Sequence, residues 1–133
     1  MKRWLWALPL GVALSSCNKE AGEGGRAEIR GRLLEKQVFV SGQIAVGPYA
    51  LLDEKVHIVY GDGADGAFSD DDVDSGPNGE FRFPWLRKGT YTIYAIGDSY
   101  TAPSGKVAVS VTVTIDDRKS VVDIGDLIID KIP

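Results

Sequence analysis

The chain has 133 residues, enough for one domain, and carries 19 acidic against 15 basic residues, a formal net charge of −4. An acidic chain with no basic cluster repels phosphate groups, so we expect neither a nucleic-acid partner nor attraction to anionic lipid headgroups. Its single cysteine excludes an internal disulfide.

Residues 1–16 have the pattern of an export signal. Lys2 and Arg3 precede an apolar run, Trp4–Leu14, that is too short to span a bilayer permanently. The run ends in LSSC, which resembles the lipobox of bacterial lipoproteins. The resemblance implies that Cys17 is acylated and ties the protein to a lipid bilayer in the cell envelope. By the sorting rule of this family in enteric Gram-negative bacteria, the resemblance also implies that Asn18 at the next position favours the outer over the inner membrane. The alternative is a secreted protein with a chance cysteine.

The segment after the signal divides into a tether and a domain. Residues 17–27 are rich in Gly, Glu and Lys without apolar periodicity, which predicts a lipidated flexible linker. Residues 28–133 form the predicted domain.

Alternating apolar and polar residues dominate from residue 28 onward and predict β-strands. The clearest strand is Lys106–Ile115, where every second residue is Val or Ile. Further strands are predicted at 27–34, 44–46, 55–60, 80–83, 90–97 and 120–129. We therefore expect seven short strands, or between six and eight, separated by turns rich in Gly, Asp, Asn and Pro. This arrangement predicts an all-β, antiparallel Greek-key sandwich.

One segment carries a family resemblance. Residues 76–93, GPNGEFRFPWLRKGTYTI, resemble the hairpin of carboxypeptidase regulatory-like domains, which are prealbumin-like (transthyretin-like) sandwiches. The resemblance extends over roughly residues 27–130. It implies that Phe81 and Phe83 face the core, that Leu86 fills the turn and that Gly89 lets the chain reverse before Tyr91. It also implies a non-catalytic folding, spacer or adhesion role, although fold alone does not define function.

An acidic segment lies between residues 61 and 79. Its carboxylates and glycines are the groups that calcium prefers, which makes calcium a possible cofactor through Asp62, Asp65, Asp70, Asp72 and Asp74. The EF-hand spacing is absent. The alternative is a solvated loop whose charge prevents strand pairing at a sheet edge.

Three aromatic residues, Trp85, Tyr94 and Tyr100, are candidates for a sugar-binding surface, because aromatic rings stack on sugar rings. Alternatively, Trp85 covers the end of the core. His57 is the only histidine and is expected at the surface, so a zinc or copper site lacks ligands. No nucleophile motif accompanies it. We therefore expect no enzyme.

These patterns together predict a monomeric, non-enzymatic lipoprotein. Its sandwich would act as an interaction or spacer module at the cell envelope, with an envelope protein or a glycan as partner. The alternative is a carbohydrate- or peptide-binding surface module, calcium-stabilised through the acidic segment. A hydrolase is the third and weakest possibility.

Overall fold

A computed structural model describes residues 21–62 and 68–133. In this part of the chain the regular structure is entirely β, and no helix is long and apolar enough to cross a membrane. Cys17, the predicted lipidation site, lies outside the described residues. The eight strands are β1 (Glu23–Val38), β2 (Ile44–Ala50), β3 (Lys55–Tyr60), β4 (Asp71–Asp74), β5 (Glu80–Leu86), β6 (Gly89–Asp98), β7 (Lys106–Ile115) and β8 (Val121–Lys131).

The strands form two four-stranded sheets, which confirms the predicted all-β sandwich. Sheet A is organised around β1, which pairs with β8 along one edge and with both β5 and β2 along the other. Sheet B has the order β4-β3-β6-β7 and is antiparallel throughout. The β1–β8 pair is parallel, a detail that the antiparallel prediction did not contain.

The core lies between the inner faces of the two sheets. Period-two alternation places one face of each strand inward, so Ile29 and Leu33 of β1 meet Ile58 and Ile93 of sheet B in one buried cluster. Phe81, Phe83, Leu86 and Tyr91 are buried, as the family resemblance implied. Among residues 21–62 and 68–133, every member of this buried cluster lies between Ala27 and Ile129.

The start of β1 departs from the predicted linker, because residues 23–27 belong to the sandwich. The Tyr91 hydroxyl accepts a hydrogen bond from Gly22 N (2.8 Å), and Arg87 N donates one to Gly22 O (2.8 Å). Gly25 passes so close to β5 that a Cβ atom there would lie 2.0 Å from Leu86 O. The glycines of this segment therefore permit close packing, although their composition is also that of a flexible linker.

The acidic segment contains β4, a strand that was not among the seven predicted from the alternation. Residues 71–74 pair with β3, with Asp72 opposite His57 and Asp74 opposite Lys55. A run of four residues with three aspartates gives no apolar alternation, so only its pairing with β3 defines it as a strand.

Candidate functional site

A groove of about 700 Å³ runs over sheet A, a volume within the range of small-ligand sites. Its charged lining comes from β1, β4, β5 and β8 and consists of three arginines and five carboxylates: Arg30, Arg32, Arg82, Glu28, Asp74, Glu80, Asp123 and Asp126. Most of these side chains alternate with core residues such as Ile29 and Phe81, so the strands that build the core also display the groove.

Two arginines face each other in the middle of the groove. Arg30 of β1 is directly opposite Arg82 of β5, and on its other side it is opposite Asp123 of β8. Like charges directly opposite on neighbouring strands destabilise a sheet. The next row is complementary, because Arg32 lies between Glu80 and Asp126. The Arg30–Arg82 pairing is thus a local conflict, of the kind that proteins retain at functional sites.

The ion pairs of the groove differ in length. Arg82 Nη2 lies 2.8 Å from Glu28 Oε1, and this hydrogen bond raises the pKa of Arg82 above its ordinary value. Arg30 Nε lies 3.9 Å from Asp123 Oδ2, and Arg32 Nη1 lies 3.8 Å from Asp126 Oδ1. These two distances exceed hydrogen-bond length, and all three arginine side chains are at least half exposed. Guanidinium donors and carboxylate acceptors therefore stand side by side, within reach of a ligand.

Of the charged groove residues, only Asp74 was among the candidates from the sequence, and there as a calcium ligand. The alternation of Glu28, Arg30 and Arg32 with Ala27, Ile29 and Leu33 identifies an outward charged face, but it does not show which strands lie beside β1. Register places Arg82 and Asp123 next to Arg30, and these positions are 52 and 93 residues away along the chain.

Trp85 lies at the end of β5 and is exposed. Phe83 and Leu86 are both buried, so two residues separate them where regular alternation would place one. Trp85 takes up the extra position with φ of 62° and 66 % exposure, so Leu86, and not Trp85, covers this end of the core. A positive φ in a bulky residue is strained, and such strain clusters at functional sites.

Tyr94 lies on the outer face of sheet B, away from the groove. Its ring stacks on His57, with ring centroids 4.7 Å apart and planes inclined by 15°. His57 Nδ1 lies 3.3 Å from Ser69 Oγ, a pairing that the sequence did not indicate. His57 is half-buried, close to its predicted surface position.

Tyr100 follows the end of β6, and its hydroxyl donates a hydrogen bond to Val38 O (2.7 Å). Trp85 precedes β6, whose ten residues span about 30 Å at 3.3 Å per residue. The structure therefore does not bring Trp85, Tyr94 and Tyr100 together in one sugar-binding surface.

The acidic residues of the predicted calcium site make separate contacts. Asp70 accepts a hydrogen bond from Tyr60 N (2.7 Å), whereas Lys55 Nζ lies 3.4 Å from Asp72 Oδ1 and 3.0 Å from Asp74 Oδ1. Asp62 follows β3, and Asp65 lies outside the described residues. Among residues 21–62 and 68–133, no group of three or more His, Cys, Asp or Glu is placed to hold a metal ion. Calcium binding here stays a prediction.

The protein is an all-β sandwich with a charged groove on its surface. No family model and no curated protein matches the chain. Among solved structures, the chain is similar to a proposed carbohydrate-binding protein from Pseudomonas aeruginosa, with 18% sequence identity and a TM-score of 0.46 over 83% of this chain and 91% of that one. At this TM-score the similarity supports no statement about function.

Proposed function

We propose that the protein is a non-enzymatic, lipid-anchored module of the bacterial cell envelope that binds a neutral glycan in the groove over sheet A. The observation that carries the proposal is the directly opposed pair Arg30 and Arg82 at the centre of that groove. Like charges directly opposite each other disfavour strand pairing, so binding of a ligand between them would be a reason to keep both arginines. Each arginine also has a carboxylate partner, Glu28 for Arg82 and Asp123 for Arg30.

The chemistry of the groove suits sugar hydroxyl groups. A hydroxyl both donates and accepts hydrogen bonds, so it can bridge a guanidinium N–H and a carboxylate oxygen that lie side by side. The lining has five carboxylates against three guanidinium groups, and Lys55 Nζ lies 3.0 Å from the lining residue Asp74, so the formal charge with this lysine included is −1. This excess of negative charge disfavours phosphorylated, sulfated and uronic-acid glycans and favours neutral ones.

Trp85 is not part of the groove lining, but it offers a second contact for a longer ligand. It lies three residues from Arg82 along β5, about 10 Å at the usual strand rise. An oligosaccharide that hydrogen-bonds to Arg82 would also reach the exposed indole, whereas a monosaccharide would contact only one of them. We therefore propose a chain of sugars and not a single ring as the ligand.

Charge-removing variants in the groove test the proposal. A panel of neutral and acidic oligosaccharides is screened by calorimetry against residues 17–133 carrying Cys17→Ser, which cannot be acylated. Arg30→Gln should weaken binding of a neutral oligosaccharide about 10- to 100-fold, because a hydrogen bond to a charged group contributes about 1.5–3 kcal/mol. The same variant should unfold at an equal or higher urea concentration, since it relieves the repulsion from Arg82.

The matched control is Arg118→Gln, which removes an exposed arginine outside the groove. This variant should bind like the parent protein. If no oligosaccharide binds, or if Arg30→Gln binds as well as Arg118→Gln does, the groove is not a glycan site. Trp85 adds a convenient signal, since residues 17–133 contain no other tryptophan.

The lipid anchor is tested separately from the glycan. If Cys17 is acylated, the six residues 17–22 that precede β1 reach about 20 Å at most, which keeps the sandwich close to the bilayer. We expect Cys17→Ala to abolish incorporation of labelled fatty acid in the bacterial host and to leave the precursor uncleaved. Normal labelling of that variant would refute the anchor and leave the glycan proposal unaffected.

A further inference from the structure

The last strand of sheet B has an unpaired edge. β7 is ten residues long and ends the strand order β4-β3-β6-β7. Within residues 21–62 and 68–133, every strand pairing of β7 is with β6. Its opposite edge therefore presents a row of backbone N–H and C=O groups that can pair with another strand.

The other edge strands carry features that oppose such pairing, and β7 does not. A β-bulge, a proline or a charge within the strand blunts an edge. β4 is short and acidic, β2 and β5 contain prolines, and β8 has two aspartates at an irregularity in its register with β1; the residues concerned are Asp71, Asp72, Asp74, Pro48, Pro84, Asp123 and Asp126. From Val107 to Ile115, β7 contains no charged residue, no proline and no glycine.

The core is incompletely covered beside this edge. Val109, Val111 and Val113 point toward the core but are only partly buried, whereas Ile93 on the neighbouring strand is fully buried. Val107 is 44 % exposed. A strand added to β7 would cover these valines and satisfy the backbone groups at the same time.

We propose that the strand added to β7 is β7 of a second copy of this chain, paired antiparallel about a two-fold axis at Val111. In this register residue 111 + n of one copy lies opposite residue 111 − n of the other. Valine then faces valine on the inner side, and Ser110 faces Thr112 on the outer side. A shift by one residue would place valines against hydroxyl side chains.

The charges at the two ends of β7 select this register. Lys106 begins the strand and Asp116 directly follows it. With the axis at Val111, Lys106 of each copy lies opposite Asp116 of the other, which gives two equivalent pairs of opposite charge. Lys106 Nζ also lies 2.6 Å from Asp98 Oδ1 of its own copy, so Asp116 would join an existing ion pair. With the axis moved to Ser110, Lys106 would instead lie opposite Thr114. Charge complementarity therefore favours the Val111 axis over the nearest alternative that keeps the valines together.

The size of the contact sets the expected strength. A contact confined to one ten-residue strand on each copy lies near or below the 1,200–2,000 Å² typical of stable interfaces. We therefore expect a dimer that dissociates on dilution, so the monomer predicted from the sequence is the state at low concentration. The groove lies over the other sheet and remains open in both copies.

A charge swap tests the register. Sedimentation velocity on residues 17–133 with Cys17→Ser should show a concentration-dependent dimer. Asp116→Lys alone should raise the dissociation constant about tenfold, since it reverses two symmetry-related contacts. Lys106→Asp should have the same effect, but it also faces Asp98 of its own copy, so its urea midpoint is measured alongside. The double variant should restore dimerisation. Ala45→Lys, at an exposed position on β2, is the control and should leave the dissociation constant unchanged.

Cysteine crosslinking gives a second, independent measurement. With Cys17 replaced, Val111→Cys introduces the only thiol, and the two copies of it would face each other across the axis within disulfide range. Val109→Cys is the matched control, because residue 109 of one copy would lie opposite residue 113, four positions from its own counterpart. Rapid oxidation of the Val111→Cys dimer alone would support the proposal. A monomer at all concentrations, or equal crosslinking of both variants, would overturn it.

Discussion

Gly25→Ala tests whether the start of β1 packs on β5, as in the structure, or forms a flexible linker, as its composition suggests. The added Cβ would lie 2.0 Å from Leu86 O, 2.5 Å from Leu86 C and 2.7 Å from Arg87 Cα. All three are backbone atoms, so no side-chain rotation relieves the contact. Overpacking of this kind costs about 1–3 kcal/mol or more. In a flexible linker the same substitution would be neutral or slightly stabilising, by up to about 1 kcal/mol.

Packing on β5 predicts a loss of stability, whereas a flexible linker predicts no change or a small gain. One urea denaturation curve therefore distinguishes the two. Followed by far-ultraviolet circular dichroism, Gly25→Ala should lower the midpoint at unchanged slope. Gly42→Ala is the control, since its Cβ would meet nothing within 4 Å and its φ of 90° adds only backbone strain, about 1–2 kcal/mol. A Gly25→Ala protein as stable as the parent would show that residues 23–27 do not pack on β5.

Three further measurements test particular contacts. Tyr91→Phe should destabilise the protein by about 1–3 kcal/mol in urea, because it leaves the buried Gly22 N without its acceptor; an unchanged midpoint would contradict this. The hydrogen bond from Lys106 lowers the pKa of Asp98, so this contribution to stability is present above about pH 4 and is lost as pH falls through the lowered pKa; Asp98→Asn should flatten that part of the melting-temperature profile. A calcium titration tests the site predicted from the sequence: because Lys55 already pairs with Asp72 and Asp74, we expect an unchanged melting temperature, and an increase that Asp72→Asn abolishes would instead establish the site.

The sequence predicted most of the strands because alternation is a local property. Lys106–Ile115 and Lys55–Tyr60 were predicted with the bounds that the structure has, and the aromatic hairpin around Phe81 and Phe83 packs as its family resemblance implied. The failures have a common physical origin. Strand β4 and the start of β1 have no apolar alternation, and both are held by partners outside their own segment: the preceding strand β3 for β4, and the Tyr91 hydroxyl for the start of β1.

The candidate site was less predictable because it depends on register. Arg30 and Arg82 are ordinary surface arginines in the sequence, and only pairing across β1 and β5 makes them face each other. The aromatic residues gave a more visible signal but pointed to three separate places. Trp85, Tyr94 and Tyr100 have the right chemistry for sugar binding, yet β6 separates the first from the last. Composition identified suitable side chains but not their arrangement.

The two outer faces of the sandwich show why the groove is the better candidate. Sheet B presents hydroxyl pairs that bond to each other, with Thr92 Oγ1 and Thr112 Oγ1 3.1 Å apart and Thr90 Oγ1 and Thr114 Oγ1 3.2 Å apart. A ligand there would have to replace hydrogen bonds that the sheet already makes. Sheet A instead holds Arg30 against a like charge and 3.9 Å from its nearest carboxylate partner. Under the proposed function, a hydroxyl-bearing ligand that bridges Arg30 and Asp123 would gain hydrogen bonds and leave the 2.8 Å pair of Arg82 and Glu28 intact.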